Sequence, residues 1–220
     1  MGSIPPEDFL KWRDVTVPVA ADTPVWPGDP APVITAIARH EDGDGVQLTE
    51  AFFGLHTGTH IDAPLHFIPG GADILNLNAQ ALTGPVWVID ATSVERISAE
   101  WLNEHLPKEA DRILLKTIPD HADRRAAITR PDPVGLDESA ARVLVSQNVL
   151  LVGIDGLSIA VVDRLTAVHV LLLEKSIVIV EHLDLNGVDP GSYEMMALPM
   201  SIAGAEAAPA RVLIRPLPLA

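Results

Sequence analysis

Five short β-branched or leucine-rich runs, each bounded by turn residues, constrain this chain most. They span residues 86–90, 113–116, 149–154, 177–180 and 212–214. Runs of this length and make-up read as buried strands. Helix candidates fall among them at 98–105, with Ser98 as N-cap, at 137–146 and at 165–173. Buried strands separated by helices imply an α/β fold, a mixed β-sheet flanked by helices. Strand-like stretches at 14–19, 33–39 and 47–53 add antiparallel pairing near the start. The 19 prolines are scattered and punctuate short elements. Four of them fall within 23–32 beside Gly28-Asp29 and make that stretch a loop. No repeat, low-complexity tract or long linker interrupts the 220 residues, so a single domain, 1–220, is expected.

Composition removes several function classes. Thirty acidic residues against 15 Lys plus Arg give a formal net charge of −15. Such a surface repels phosphate backbones and anionic lipid, so neither nucleic acid nor membrane is an expected partner. Cysteine is absent, which excludes disulfides, thiolate metal sites and a Cys nucleophile together. Any metal must be held by His and carboxylate. No basic region followed by an apolar one opens the chain, and Pro6 stands where a myristoylation signal wants Ser or Thr. No apolar run approaches the roughly 20 residues of a spanning helix. A cytoplasmic location is the expectation. A mean hydropathy of +0.25, high for so acidic a chain, favours burial between subunits in a homodimer or higher homo-oligomer.

Chemistry concentrates in residues 56–66, His-Thr-Gly-Thr-His-Ile-Asp-Ala-Pro-Leu-His, which hold three of the eight histidines. A lone His is usually a satisfied or solvated side chain; here that reading must hold three times over. His56, His60, Asp62 and His66 share parity, so an extended chain would project them from one face. A straight strand would nonetheless hold His56 and His60 about 13 Å apart, too far for one ion. Gly58 lies midway and can take the bend, while Pro64 opposes a helix running through to His66. Imidazole with carboxylate suits Zn²⁺, Mn²⁺ or Fe²⁺.

Two distant residues are candidate ligands. Glu181 ends the run Ser-Ile-Val-Ile-Val-Glu, and a carboxylate on a buried strand is costly unless paired or metal-bound. His169 lies in an apolar helix candidate and reads, by itself, more readily as a core histidine. His182 reads as structural or solvent-facing, and His40, His105 and His121 as surface. Trp26, Phe52, Phe53 and Phe67 flank the segment or its partner loop. They read equally as core or as a wall against a flat substrate.

The run from His56 to His66 resembles the His-x-Gly-Thr-His-x-Asp-x-Pro-x-His signature of the metal-dependent cyclase superfamily, whose best-known members are bacterial kynurenine formamidases. Val25-Trp26-Pro27-Gly28-Asp29, Asp184-Leu185-Asn186-Gly187-Val188 and Pro209-Ala210-Arg211-Val212 also resemble that family, so the likeness covers nearly the whole chain. It implies a swivelling β/β/α-like fold. It implies His56, His60 and Asp62 on one ion, Asp62 bridging to a second held by His169 and Glu181, and His66 as catalytic acid–base. Zn²⁺, with two ions per chain, or Mn²⁺ is the implied cofactor. Two departures stand out: Val170 follows His169 where many formamidases have a second His, and Leu157 and Ala160 replace a usual Pro and Asp.

The resemblance implies a metal-dependent hydrolase of a small molecule through an activated water. An arylformamidase acting on N-formylkynurenine in tryptophan catabolism is the leading reading. A cyclic imide, an isatin-like ring, a lactone, or a biosynthetic ring closure or dehydration is the alternative. A non-catalytic metal binder is the different class, and His66, which the ions do not need, speaks against it. No Gly-x-Ser-x-Gly elbow supports covalent catalysis.

Overall fold

The buried runs all become strands, and the sheet they form closes on itself. The computed structural model describes residues 11–217. In chain order the elements are β1 (Arg13–Asp14), β2 (Val33–Ala38), β3 (Leu48–Phe52), β4 (His60–Asp62), β5 (Thr83–Asp90), α1 (Ala99–His105), β6 (Arg112–Lys116) and α2 (Arg124–Ile128). They continue with α3 (Glu138–Ser146), β7 (Leu151–Ile154), α4 (Leu165–Leu173), β8 (Val178–Glu181), β9 (Gly191–Pro199) and β10 (Ala207–Pro216). The strand order is β1-β10-β4-β8-β7-β6-β5-β9, and β9 pairs back onto β10. Seven strands therefore form a barrel, with β1 as an added edge strand on β10. β5, β6, β7 and β8 run parallel, and the other barrel pairings are antiparallel.

Strand alternation separates two cores. Ile61, Val86, Val88, Leu114, Leu151, Val178, Val180, Met195 and Val212 fill the barrel. Its bore is narrow, and alanines supply much of the lining: Ala63, Ala197, Ala208 and Ala210. Gly153 belongs to the same economy, because a Cβ there would lie 2.6 Å from the Leu114 side chain. Residues of opposite parity, Ile113, Leu115, Val152, Ile154 and Ile179, pack outward against Leu102 of α1, Leu144 of α3 and Leu172 of α4. Ser98 and Asp137 cap α1 and α3 by accepting from the backbone N–H of Trp101 and Ala140.

Several boundaries differ from the sequence reading. The expected strand at 14–19 shrinks to β1 and an isolated bridge at Thr16, since Pro18 cannot donate to a ladder. β9 and α2 had no counterpart among the expected elements. The hairpin β2–β3 forms as expected but pairs with no barrel strand, and Val33, Ile34, Ile37, Leu48 and Phe52 are all exposed on it. No helix among the described residues is long and apolar enough to cross a membrane.

Candidate metal centre

Three backbone devices gather the site. The first is the bend before β4. Gly58 adopts φ 67°, and a Cβ there would lie 2.8 Å from the Val17 carbonyl oxygen, so only glycine fits. This turn lets His56 fold back onto β4 instead of standing a strand's length away. The second is strand register. β4 pairs with β8 so that His60 opposes Glu181 and Asp62 opposes Ile179. His60, Asp62 and Glu181 thereby share the outer face of the barrel, while Ile61 and Val180 point inward. The third is Pro64, which begins a single 3₁₀ turn, Pro64–His66, that swings His66 back over the strand. α4 then brings His169 down onto the same face.

The resulting distances are short. His56 Nδ1 lies 3.0 Å from Asp62 Oδ1, and His60 Nε2 lies 3.6 Å from the same oxygen. His60 Nε2 is 3.4 Å from Glu181 Oε2. His169 Nε2 is 3.2 Å from Glu181 Oε1 and 3.8 Å from Asp62 Oδ2. Two groups of ligand atoms each fall within 4.8 Å: His56, Asp62 and His66, and His60, Asp62 and Glu181. Asp62 belongs to both. The His66 ring sits 4.2 Å from His56 between centroids, so the residue expected as an acid–base stands against the ligand-type residues.

Hydrogen bonding tests whether a cation fits. His60 Nδ1 donates to the Gly58 carbonyl at 3.0 Å and His169 Nδ1 to the Leu165 carbonyl at 2.7 Å. A carbonyl only accepts, so Nδ1 of each ring carries a proton, and in the neutral form Nε2 is left with a lone pair to offer a cation. His60 Nε2 and both Asp62 oxygens are buried without a hydrogen-bond partner among the described residues. Orphaned acceptors facing one another at this depth are expensive unless a cation lies among them. The donor set fits a divalent metal bound through imidazole and carboxylate.

The charges of the site show the same demand. Burial lowers the His56 pKa, but the hydrogen bond and charge of Asp62 outweigh it and raise the value to about 9. Burial raises the Glu181 carboxyl, yet the hydrogen bond from His169 and the nearby His60 imidazole bring it below its ordinary range. Protons on His56 and His169 thus take the place of cationic charge. His66 behaves differently: burial lowers its pKa, and the neighbouring His56 and His169 add to that against the pull of Asp62.

A cavity of about 180 Å³ opens beside the cluster, lined by Trp26, Asp29, His56, His66, Phe67, Leu157, Ser158, Leu165, His169 and Glu181. Trp26 and Phe67 thus line it, and Phe67 stacks on His169 at 4.6 Å. Phe52 and Phe53 do not line it. β3 belongs to the separate hairpin, which leaves Phe52 64 % exposed and Phe53 half-buried. His40, His105 and His121 are exposed. His182 is buried at φ 60°, its N–H donating to Gly156 and its carbonyl accepting from Thr59. Burial, then the charges of Arg124 and His60, push its pKa down to about 3 and keep the ring neutral.

Sequence reasoning missed Glu206, whose Oε1 lies 3.6 Å from His56 Nε2. Only the pairing of β10 with β4 brings it there, through the Ala63 N–H to Glu206 carbonyl bond of 2.8 Å. It also left Asp29 and Leu165 without a role at the site. Leu157 and Ser158 lie in the 154–160 stretch that the family resemblance singles out as a loop near the substrate, and both line the cavity, while Asp29 had a local signal in the turn motif around Trp26.

Residues 13–161 match the family described as putative cyclase. The kynurenine formamidase of Bacillus anthracis is 33 % identical over 209 residues, covering 94 % of this chain and 98 % of the relative. A solved structure described as a potential metal-dependent hydrolase with cyclase activity is 32 % identical, with a TM-score of 0.77 over 94 % of this chain and 99 % of the other. Isatin hydrolase A from Labrenzia aggregata shares the fold, with a TM-score of 0.76 at 23 % identity over 94 % of each chain.

Proposed function

The chain belongs to the putative cyclase family, and from that premise we propose that this metal-dependent hydrolase of C–N bonds cleaves an aryl formamide such as N-formylkynurenine. The observation that carries the reading is one buried carboxylate, Asp62, shared by two ligand-sized groups, with His66 beside them and an aromatic-walled cavity in front. His56, His60, Asp62, His169 and Glu181 would hold the metal, Zn²⁺ or Mn²⁺, as one or two ions. Bound there, a divalent ion supplies Lewis acidity for the amide carbonyl and lowers the pKa of water.

The chain's own residues do the rest. Trp26 and Phe67 present flat faces that orient an aryl ring. Leu157 and Leu165 close the cavity with apolar surface and limit water. Hydrolysis joins a water oxygen to the formyl carbon and breaks the C–N bond, leaving formate and an aryl amine. The departing nitrogen needs a proton, and His66 can deliver it. Incubating N-formylkynurenine with metal-loaded protein should yield formate and kynurenine on liquid chromatography, and chelated protein should not. No turnover, together with opening of a cyclic imide or lactone, would replace this reading with the ring-opening one.

We also infer a homodimer or higher homo-oligomer. A two-stranded ribbon is marginal by itself in water, and β2–β3 exposes apolar side chains without a covering element. Light scattering should return at least twice the 23.5 kDa chain mass at micromolar concentration. A monomer there would defeat the inference.

A further inference from the structure

The ten residues lining the cavity include no lysine or arginine. Its walls are Trp26, Phe67, Leu157 and Leu165, and the imidazoles and Glu181 belong to the candidate metal centre. One charged side chain is left over: Asp29. The turn from Trp26 to Asp29, closed by the Asp29 N–H to Trp26 carbonyl bond at 3.0 Å, puts an indole and a carboxylate on the same wall. Gly28 makes that turn possible by adopting φ 102° with open space around it. Asp29 has no ion-pair or side-chain hydrogen-bond partner among the described residues. Glu206, beside His56, adds a second negative charge near the cavity.

We propose that Asp29 is a specificity-determining residue that selects, among the amides this site cleaves, aryl formamides carrying an ammonium group on a short arm. The inference rests on the formamidase reading and deepens it. An aryl ring held at Trp26 places a substituent arm within the reach of the next wall residue, and the charge there is negative. A cationic arm gains a partner that the free protein leaves open. An arm carrying a carboxylate without an ammonium meets Asp29 with no lysine or arginine in the lining to offset it. Because Asp29 is solvent-exposed, the preference is modest and salt-sensitive.

Three probes test this on metal-loaded full-length protein: formanilide, an aminomethyl formanilide and a carboxymethyl formanilide. The wild-type protein should rank them cationic, neutral, anionic by kcat/KM. In Asp29→Asn the cationic-to-neutral ratio should fall by roughly 1.5–5-fold, the range of a solvent-screened ion pair. Asp29→Glu should restore the ratio, Asp29→Lys should invert the ranking, and added salt should shrink it only where a carboxylate is present. A merely structural role for Asp29 would lower all three rates together and leave the ratios unchanged. Turnover of all three probes without charge preference, or ratios untouched by Asp29→Asn, would overturn the assignment while the formamidase reading stands. Failure of the wild-type protein on every formanilide would remove that reading, and the assignment with it.

Discussion

His66→Ala is expected to keep its metal and its fold while kcat falls by roughly 10²–10⁴-fold, the usual contribution of a positioned acid–base. The expectation starts from geometry. The imidazole of His66 lies 4.2 Å from His56 and 4.4 Å from Phe67 between ring centroids, at the cavity wall, and remains half-buried. Burial first, then the charges of His56 and His169, depress its pKa below the ordinary 6.5. Cations in the neighbouring site act in the same direction. A histidine with a depressed value loses its proton at lower pH, so the limb of the kcat/KM profile that it controls falls below 6.5, and the variant should lack that limb. The loss should be largest for poor leaving groups, which most need a proton on the departing atom, and smaller for an activated phenolic ester. Metal content and rate must be read on one preparation. His66 also belongs to one of the two ligand-sized groups, so parallel loss of metal and activity would make it a ligand instead. Wild-type rate and metal together would assign the proton to another residue.

Asp62→Asn should be the most damaging change to metal binding, worse than His56→Ala. The Asp62 side chain is fully buried, lies in both ligand-sized groups, and approaches His56, His60 and His169 within 3.0, 3.6 and 3.8 Å. Asparagine keeps the volume but removes the charge and converts one acceptor into a donor. That donor would face His60 Nε2, whose lone pair the Gly58 carbonyl has fixed in place, so a hydrogen bond would occupy ligand space. The affinity loss should exceed the roughly 10–100-fold that follows removal of an outer-shell partner. Elemental analysis after dialysis should find less metal in Asp62→Asn than in His56→Ala. Equal or greater retention would remove Asp62 from its shared position.

Why the ligand-type residues were readable and the barrel was not follows from where each signal resides. His56, His60, Asp62 and His66 lie within eleven residues, and their spacing is a local property of the chain. The parity of Glu181 with Ile179 likewise survives in the sequence, because β8 is a regular strand. Closure of the barrel has no such local trace. It depends on β9, whose Gly-Ser-Tyr-Glu-Met-Met-Ala-Leu-Pro lacks the β-branched residues that mark strands, and which forms because β5 and β10 pair on either side of it. α2 is five residues long, carries little periodicity, and is held by its Asp123 cap. Glu206 reaches His56 only through the β10–β4 register, and the aromatic pair at 52–53 left the cavity because the hairpin departs from the barrel before β4 begins. Local pattern marks the ligand-type residues; long-range pairing decides their surroundings.

Closing the sheet through β4 also sets a timetable for the polypeptide as it is made. β4 sits between β8 and β10, both of which come from the last part of the chain. A growing chain therefore presents His56, His60, Asp62 and His66 for most of its synthesis with neither flanking strand yet available. Until β8 and β10 arrive, these side chains sit on an unpaired segment whose Glu181 neighbour has not been made. Such distant pairing is slow relative to local helix formation, so the helices over β6 and β7 can assemble first and wait for the ends to zip together. Metal captured late, by the closed barrel, meets a rigid set of donors; metal captured early must be carried through the closure.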